Sequence, residues 1–256
     1  MISTTFNMDC MAYMAHCQDN AFDIAIVDPP YGINAPNMNM GSWGKYKSTA
    51  TRLKRNRFDK GGGLYANSAF VTMNTDWDLT PPSRAYFEEL FRVSKNQIIF
   101  GGNYFGLPPT RCFVCWDKLQ ALENFSQVEY AWTSFDYPSK IVHIGSTGGR
   151  NDVERIHPTQ KPVKLYLWLM QKFCKPGDSI LDTHLGSGSS RIAAYQLGFD
   201  FVGTEIDKEY YESQEKRFQA FKTDFDFDQK LFVAQELQCN QLNLIEQWEK
   251  QQECQS

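Results

Sequence analysis

Short apolar runs alternate along this chain with longer stretches whose apolar residues recur at helical spacing. "FDIAIVD" (22–28), "QIIFGG" (97–102), "RCFVCWD" (111–117), "VEYAWTS" (128–134), "DSILDTHLG" (178–186) and "FDFVGTEID" (199–207) read as strands. Between them "PPSRAYFEELFRVS" (81–94), "QKPVKLYLWLMQKFC" (160–174), "SSRIAAYQLG" (189–198) and "EYYESQEKRFQAF" (209–221) read as amphipathic helices. That alternation predicts an α/β fold, a mainly parallel sheet with helices on both faces. Residues 33–76, rich in Gly, Asn, Lys and Arg, break the rhythm and are too long for an ordinary connection, which marks them as functional or disordered. Beyond Thr223 the chain turns rich in Gln, Asp and Phe, where "QKLFVAQELQ" predicts one more helix.

Composition adds limits. With 256 residues, 42% of them hydrophobic, the chain can bury the core of one large domain, and two independent domains are not expected. No window approaches the ~20 apolar residues of a membrane span. The opening "MISTTFNMDC" has no basic segment followed by an apolar run, so no secretory signal is expected. Seven scattered cysteines fit a reducing compartment, and a cytoplasmic location is the expectation. Cys112 and Cys115 form a lone CxxC without a second pair, and on a strand they face opposite sides, so they read as core thiols and no metal is expected. Trp116, Trp132 and Trp168 lie on periodic segments and read as core.

A formal net charge of −4 argues against a polyanionic partner, but the basic residues are unevenly spread. Lys45, Lys47, Arg52, Lys54, Arg55, Arg57 and Lys60 cluster against the single acid Asp59. Local potential decides where phosphates settle, so this segment is a candidate phosphate-contacting surface; a solvated flexible loop would have the same composition.

Two strand ends carry chemistry. The run "FDIAIV" stops in Asp28-Pro29-Pro30-Tyr31-Gly32, which cannot continue a sheet and leaves a carboxylate and a ring at its mouth. "DSILDTHLGSGSS" (178–190) reads as strand, Gly-rich turn and helix start, where Gly186, Ser187 and Gly188 bring backbone N–H groups close to a ligand. Glu205 follows Gly186 by nineteen residues, at the end of the next strand, where an acid can accept from ribose hydroxyls. Arg191 stands where a third glycine would be, which favours a nucleoside ligand over a dinucleotide.

Asp28-Pro29-Pro30-Tyr31, then "HPTQKP" (157–162), then the Gly-rich turn together resemble the S-adenosylmethionine-dependent DNA amino-methyltransferases, in the circularly permuted motif order of the beta group. Asp at the first position resembles the adenine-N6 kind; cytosine-N4 enzymes are expected to carry Ser there and glutamine-modifying ones Asn. "FNMDC", "IIFGGNYF", "FVCWDK" and "EYAWTS" extend the likeness from about Phe6 to Phe221. The resemblance implies a class I Rossmann-like methyltransferase fold over residues 1–222, with 33–76 as a basic insertion and 223–256 as a C-terminal tail. It also implies S-adenosylmethionine as cofactor, held by Asp9, Lys161, Asp182, His184, Gly186, Ser187, Gly188 and Glu205. Asp9 and Asp182 could equally be helix-cap or turn acids, and Lys161 is a candidate partner of the cofactor carboxylate. Thr183-His184 replaces the family's Pro-Phe, and His184 reads as packing rather than as a base.

The chemistry fits those residues. An exocyclic amine conjugated to a purine is a poor nucleophile. Asp28 can accept one N–H and the Pro29 carbonyl the other, turning the nitrogen lone pair toward the methyl group. Tyr31 can stack on an adenine flipped out of the duplex. No metal or covalent intermediate is needed. DNA is the expected partner, with a homodimer or a separate recognition subunit as further candidates, because the roughly twenty residues between "AWTS" and "HPTQKP" are too few for a recognition domain. RNA adenine, cytosine N4 and a non-catalytic nucleic-acid-binding module remain the alternatives.

Overall fold

The computed structural model describes residues 1–35, 76–120, 126–146 and 155–228. They divide into two units, the first Met1–Glu215 and the second beginning at Lys216. The first contains strands β1 (Ser3–Asn7), β2 (Phe22–Val27), β3 (Ser94–Phe100), β4 (Phe113–Asp117), β5 (Val128–Thr133), β6 (Lys140–His143), β7 (Ser179–Asp182) and β8 (Asp200–Glu205). Its helices are α1 (Cys10–Met14), α2 (Arg84–Val93), α3 (Val163–Phe173) and α4 (Ser189–Leu197). Residues 208–215 of the first unit are helical, and so, within the second unit, are residues 216–228. The basic residues from Lys45 to Lys60 and the helix expected at 229–238 lie outside the described residues.

The strands form one sheet in the order β1-β8-β7-β2-β3-β5-β4-β6. β5 runs antiparallel to both its neighbours, and the other pairings are parallel. β2 explains why its sequence is apolar without alternation. Ile24 and Ile26 pack on one face with Leu165, Leu169 and Ala193 from α3 and α4. Ala25 and Val27 pack on the other with Met14 of α1 and Phe87 and Leu90 of α2. A strand covered on both faces needs apolar residues at every position.

The six strands read from the pattern are all present. β3 starts three residues before the expected Gln97, because the chain passes from α2 into the sheet without a loop; the buried Ser94 hydroxyl donates to the Leu90 carbonyl at 2.6 Å. Three elements escaped the pattern, of which the five-residue β1 was suggested only by the resemblance of "FNMDC". α1 has only five residues and β6 only four, too short for either periodicity to register. Of the CxxC pair, Cys112 is fully buried and Cys115 partly exposed, both as free thiols. Trp116 and Trp132 are buried, and Trp168 packs partly buried against the core. Among the described residues no helix is long and apolar enough to cross a membrane.

Candidate active site

The carboxyl ends of β1, β8, β7, β2 and β3 share one edge of the sheet, which is where ligands bind in open α/β folds. Antiparallel β5 presents its amino end there, pairing Val128 with Asp117 at the end of β4. A cavity of about 850 Å³ lies along this edge. Its wall includes Asp28, Pro29, Pro30 and Tyr31 as well as Gly186 and Glu205, so two motifs with 154 residues of sequence between Tyr31 and Gly186 open into one space.

The Asp28–Tyr31 loop is tightly tied. The Tyr31 hydroxyl donates to Asp28 Oδ1 at 2.6 Å, and the Lys161 ammonium donates to Asp28 Oδ2. The Tyr31 ring stacks on Tyr104 with centroids 5.0 Å apart. Beside it Gly101, at φ +69°, has no Cβ; one built there would meet the Tyr31 ring at 2.3 Å. Gly32 makes room for Pro81: at φ +73° a Cβ would lie 2.5 Å from the proline Cδ. The buried Asp78 carboxylate accepts from the backbone of Tyr31, Gly32 and Ala35 at 2.6, 2.9 and 2.8 Å.

Burial pushes the Asp28 carboxyl above its ordinary value, and the Lys161 ammonium pulls against that shift. Lys161 also sits 3.2 Å from Glu129 Oε2 in β5, while Lys118 pairs with Glu129 Oε1 at 2.5 Å. Burial disfavours the charges of Glu129 and Lys161, but the pairing outweighs it: Glu129 is held below its usual range and Lys161 above.

At the other end of the cavity, Glu205 accepts the Gly186 N–H at 2.8 Å and the Asp207 N–H at 2.9 Å, so one carboxylate shapes the Gly-rich turn. Gly186, Ser187, Glu205, Asp9 and His184 all line the cavity. Asp9 is also the N-cap of α1, accepting from the Ala12 N–H at 3.0 Å. Asp182 and Gly188 stand behind the wall. Asp182 accepts from the Ser190 hydroxyl and the His184 N–H, and burial raises its carboxyl to about 7; Gly188 is the N-cap of α4. Burial lowers His184 to about 4, so its ring is neutral, and it packs edge-on to Tyr86.

Sequence reading missed Asp78, Glu129, Lys118, Gly101 and Tyr104. The acid within "VEYAWTS" was visible as the one charge in an otherwise apolar and aromatic strand, and Asp78 as an acid beside Trp77 just before "LTPP".

The sheet with its carboxyl-edge cavity has the architecture of class I methyltransferases. The structure of the cytosine-N4-specific PvuII DNA methyltransferase superposes on it with a TM-score of 0.50 at 10% identity, covering 86% of this chain and 91% of that one. A family model described as DNA methylase matches residues 116–216. The chain is also similar to the type II methyltransferase M2.MboI of Moraxella bovis, 23% identical over 82% of this chain and 85% of that protein. M2.DpnII of Streptococcus pneumoniae is likewise 23% identical, over 83% and 88%.

Proposed function

We propose that this chain transfers a methyl group from S-adenosylmethionine to the N6 amine of adenine in DNA. The observation that carries the reading is Asp28-Pro29-Pro30-Tyr31 at the end of β2, opening into the same cavity as the Gly186 turn and Glu205. The similarity to two type II methyltransferases over most of the chain supports it.

The cavity suits the cofactor. Its volume of about 850 Å³ is within the range of small-molecule sites, and Glu205 at one end offers acceptors to ribose hydroxyls. When bound, S-adenosylmethionine supplies a methyl group activated by its positive sulfur. Gly186 and Ser187 orient it from the Gly-rich turn. Asp28 accepts one adenine N–H and the Pro29 carbonyl the other, so the nitrogen lone pair points at the methyl carbon. The N–C bond forms as the C–S bond breaks with its electron pair going to sulfur, and the nitrogen's surplus proton leaves by way of Asp28 to water. Tyr31 gives the flipped base a stacking surface worth roughly 1 to 3 kcal/mol. The basic residues of 33–76 contact the phosphates.

The test is incubation with labelled S-adenosylmethionine and unmethylated duplex DNA, with matched RNA alongside, followed by digestion to nucleosides. N6-methyladenosine of the deoxy series from DNA is the expected product. Label in N4-methylcytosine, or in RNA alone, would replace the acceptor.

A further inference from the structure

The charged groups around the catalytic carboxylate form a row of alternating sign: Asp28, Lys161, Glu129, Lys118. They come from four places in the sequence: the end of β2, the turn before α3, the start of β5 and the residue after β4. The Lys161 side chain is only 4% exposed, as is usual only for a paired lysine. Its ammonium also lies 3.3 Å from the Tyr31 hydroxyl and 4.6 Å from the centroid of the Phe100 ring. All these contacts hold Lys161 beside Asp28, whereas the motif resemblance would assign it to the cofactor's carboxylate.

We propose that Lys161 is a positioning residue for Asp28: clamped between Asp28 and Glu129, its ammonium fixes the orientation and the negative charge of that carboxylate, and it does not bind the cofactor carboxylate. The inference rests on Asp28 being the acceptor of the adenine amine.

The reasoning is electrostatic and geometric. A buried carboxyl tends to protonate, and once protonated it has an O–H donor where the amine needs an acceptor. The groups that act on Asp28 are Lys161, Glu129 and Tyr31 in its immediate surroundings, with Tyr166, Tyr86 and Asp182 farther off. Of these Lys161 alone is a cation, and Glu129 works against it. Lys118 reduces that opposition by pairing with the far oxygen of Glu129. Tyr31 takes one oxygen of Asp28 and Lys161 the other, which sets the plane of the carboxylate; each oxygen keeps a second acceptor direction for the substrate.

The experiment is the single-turnover methyl-transfer rate against pH, at saturating cofactor and DNA, for wild type, K161M, K161R and E129Q, with cofactor affinity measured by calorimetry. K161M is expected to lower the neutral-pH rate roughly 10- to 100-fold and to move the acid limb of the profile up by about one pH unit or more, leaving cofactor affinity near wild type. E129Q removes the opposing charge, so its acid limb moves down. K161R keeps the charge and the limb stays near the wild-type position. Opposite shifts in K161M and E129Q are what a merely structural lysine would not produce. If K161M does not fold, E129Q and K161R carry the test. A limb that stays in place in K161M or E129Q, or a tenfold or larger loss of cofactor affinity in K161M with an unchanged limb, overturns the proposal. Wild-type protein that binds cofactor but methylates no adenine overturns the functional reading beneath it, a result separable from the variant outcomes.

Discussion

Asp78 holds the backbone of Tyr31: its Oδ1 accepts the Tyr31 N–H at 2.6 Å and the Gly32 N–H at 2.9 Å, while Oδ2 accepts from Ala35. A loop opened by two prolines has few backbone donors, and one carboxylate takes three of the next ones. Asp78→Ala would leave those N–H groups without an acceptor. The expected cost is about 2 to 4 kcal/mol, read as a lower urea midpoint at unchanged slope. Transfer should fall more steeply than cofactor affinity, because the clamp acts on the Asp28–Tyr31 loop. Asp78→Asn, which keeps one acceptor, should fall between the two.

Gly101→Ala tests the seat of the Tyr31 ring. The added methyl would meet ring carbons at 2.3 Å, on backbone at φ +69°, so the ring must move and take its hydroxyl from Asp28. A displacement of about 1 Å at a reacting group can cost roughly 100-fold in rate. The expected result is a rate loss of that order in single turnover, with calorimetric cofactor binding retained. An unchanged rate would mean that the ring's position is immaterial to transfer.

His184 sets a sign for acid stability. Burial holds it at about 4, below the ordinary 6.5, so the folded protein keeps it neutral while the unfolded chain protonates it. Its contribution is intact above about pH 6.5 and is lost progressively as pH falls toward 4. Asp182, raised to about 7, acts in the opposite direction over the same range, so total stability alone is a poor readout. The difference between wild type and His184→Phe isolates the histidine. Between pH 7 and pH 4 the variant should lose about 2 kcal/mol less unfolding free energy than wild type.

The basic segment gives a salt-dependent prediction. Neutralising Lys54, Arg55 and Arg57 together should weaken DNA binding and reduce the slope of log affinity against log salt by roughly 2 to 3, leaving cofactor affinity unchanged. Unaltered DNA affinity in that triple variant would remove the segment from the interface.

What the sequence disclosed follows from range. The end of β2 was legible because two prolines after a buried apolar run stop a strand within a few residues, and the Gly186 turn because its strand, glycines and helix start are contiguous. Asp78 was not, since its partners lie more than forty residues away and an acid shortly before a proline pair looks like any turn residue. For Glu129 the charge was visible and its destination was not. Read alone, it is a polar position on a strand; it reaches the site only because β5 runs antiparallel and puts its first residues at the carboxyl edge. Lys161 was seen as a candidate but assigned a different partner, because the sequence holds no record of which carboxylate faces it.

The central claim is that Asp28 acts on the acceptor amine in the cavity where the Gly186 turn holds the cofactor. Single-turnover transfer to duplex DNA by Asp28→Ala, paired with calorimetric titration of S-adenosylmethionine into the same variant, tests it most directly. The account predicts cofactor binding close to wild type with transfer to adenine reduced by roughly 100-fold or more. Transfer at the wild-type rate in that variant would contradict it.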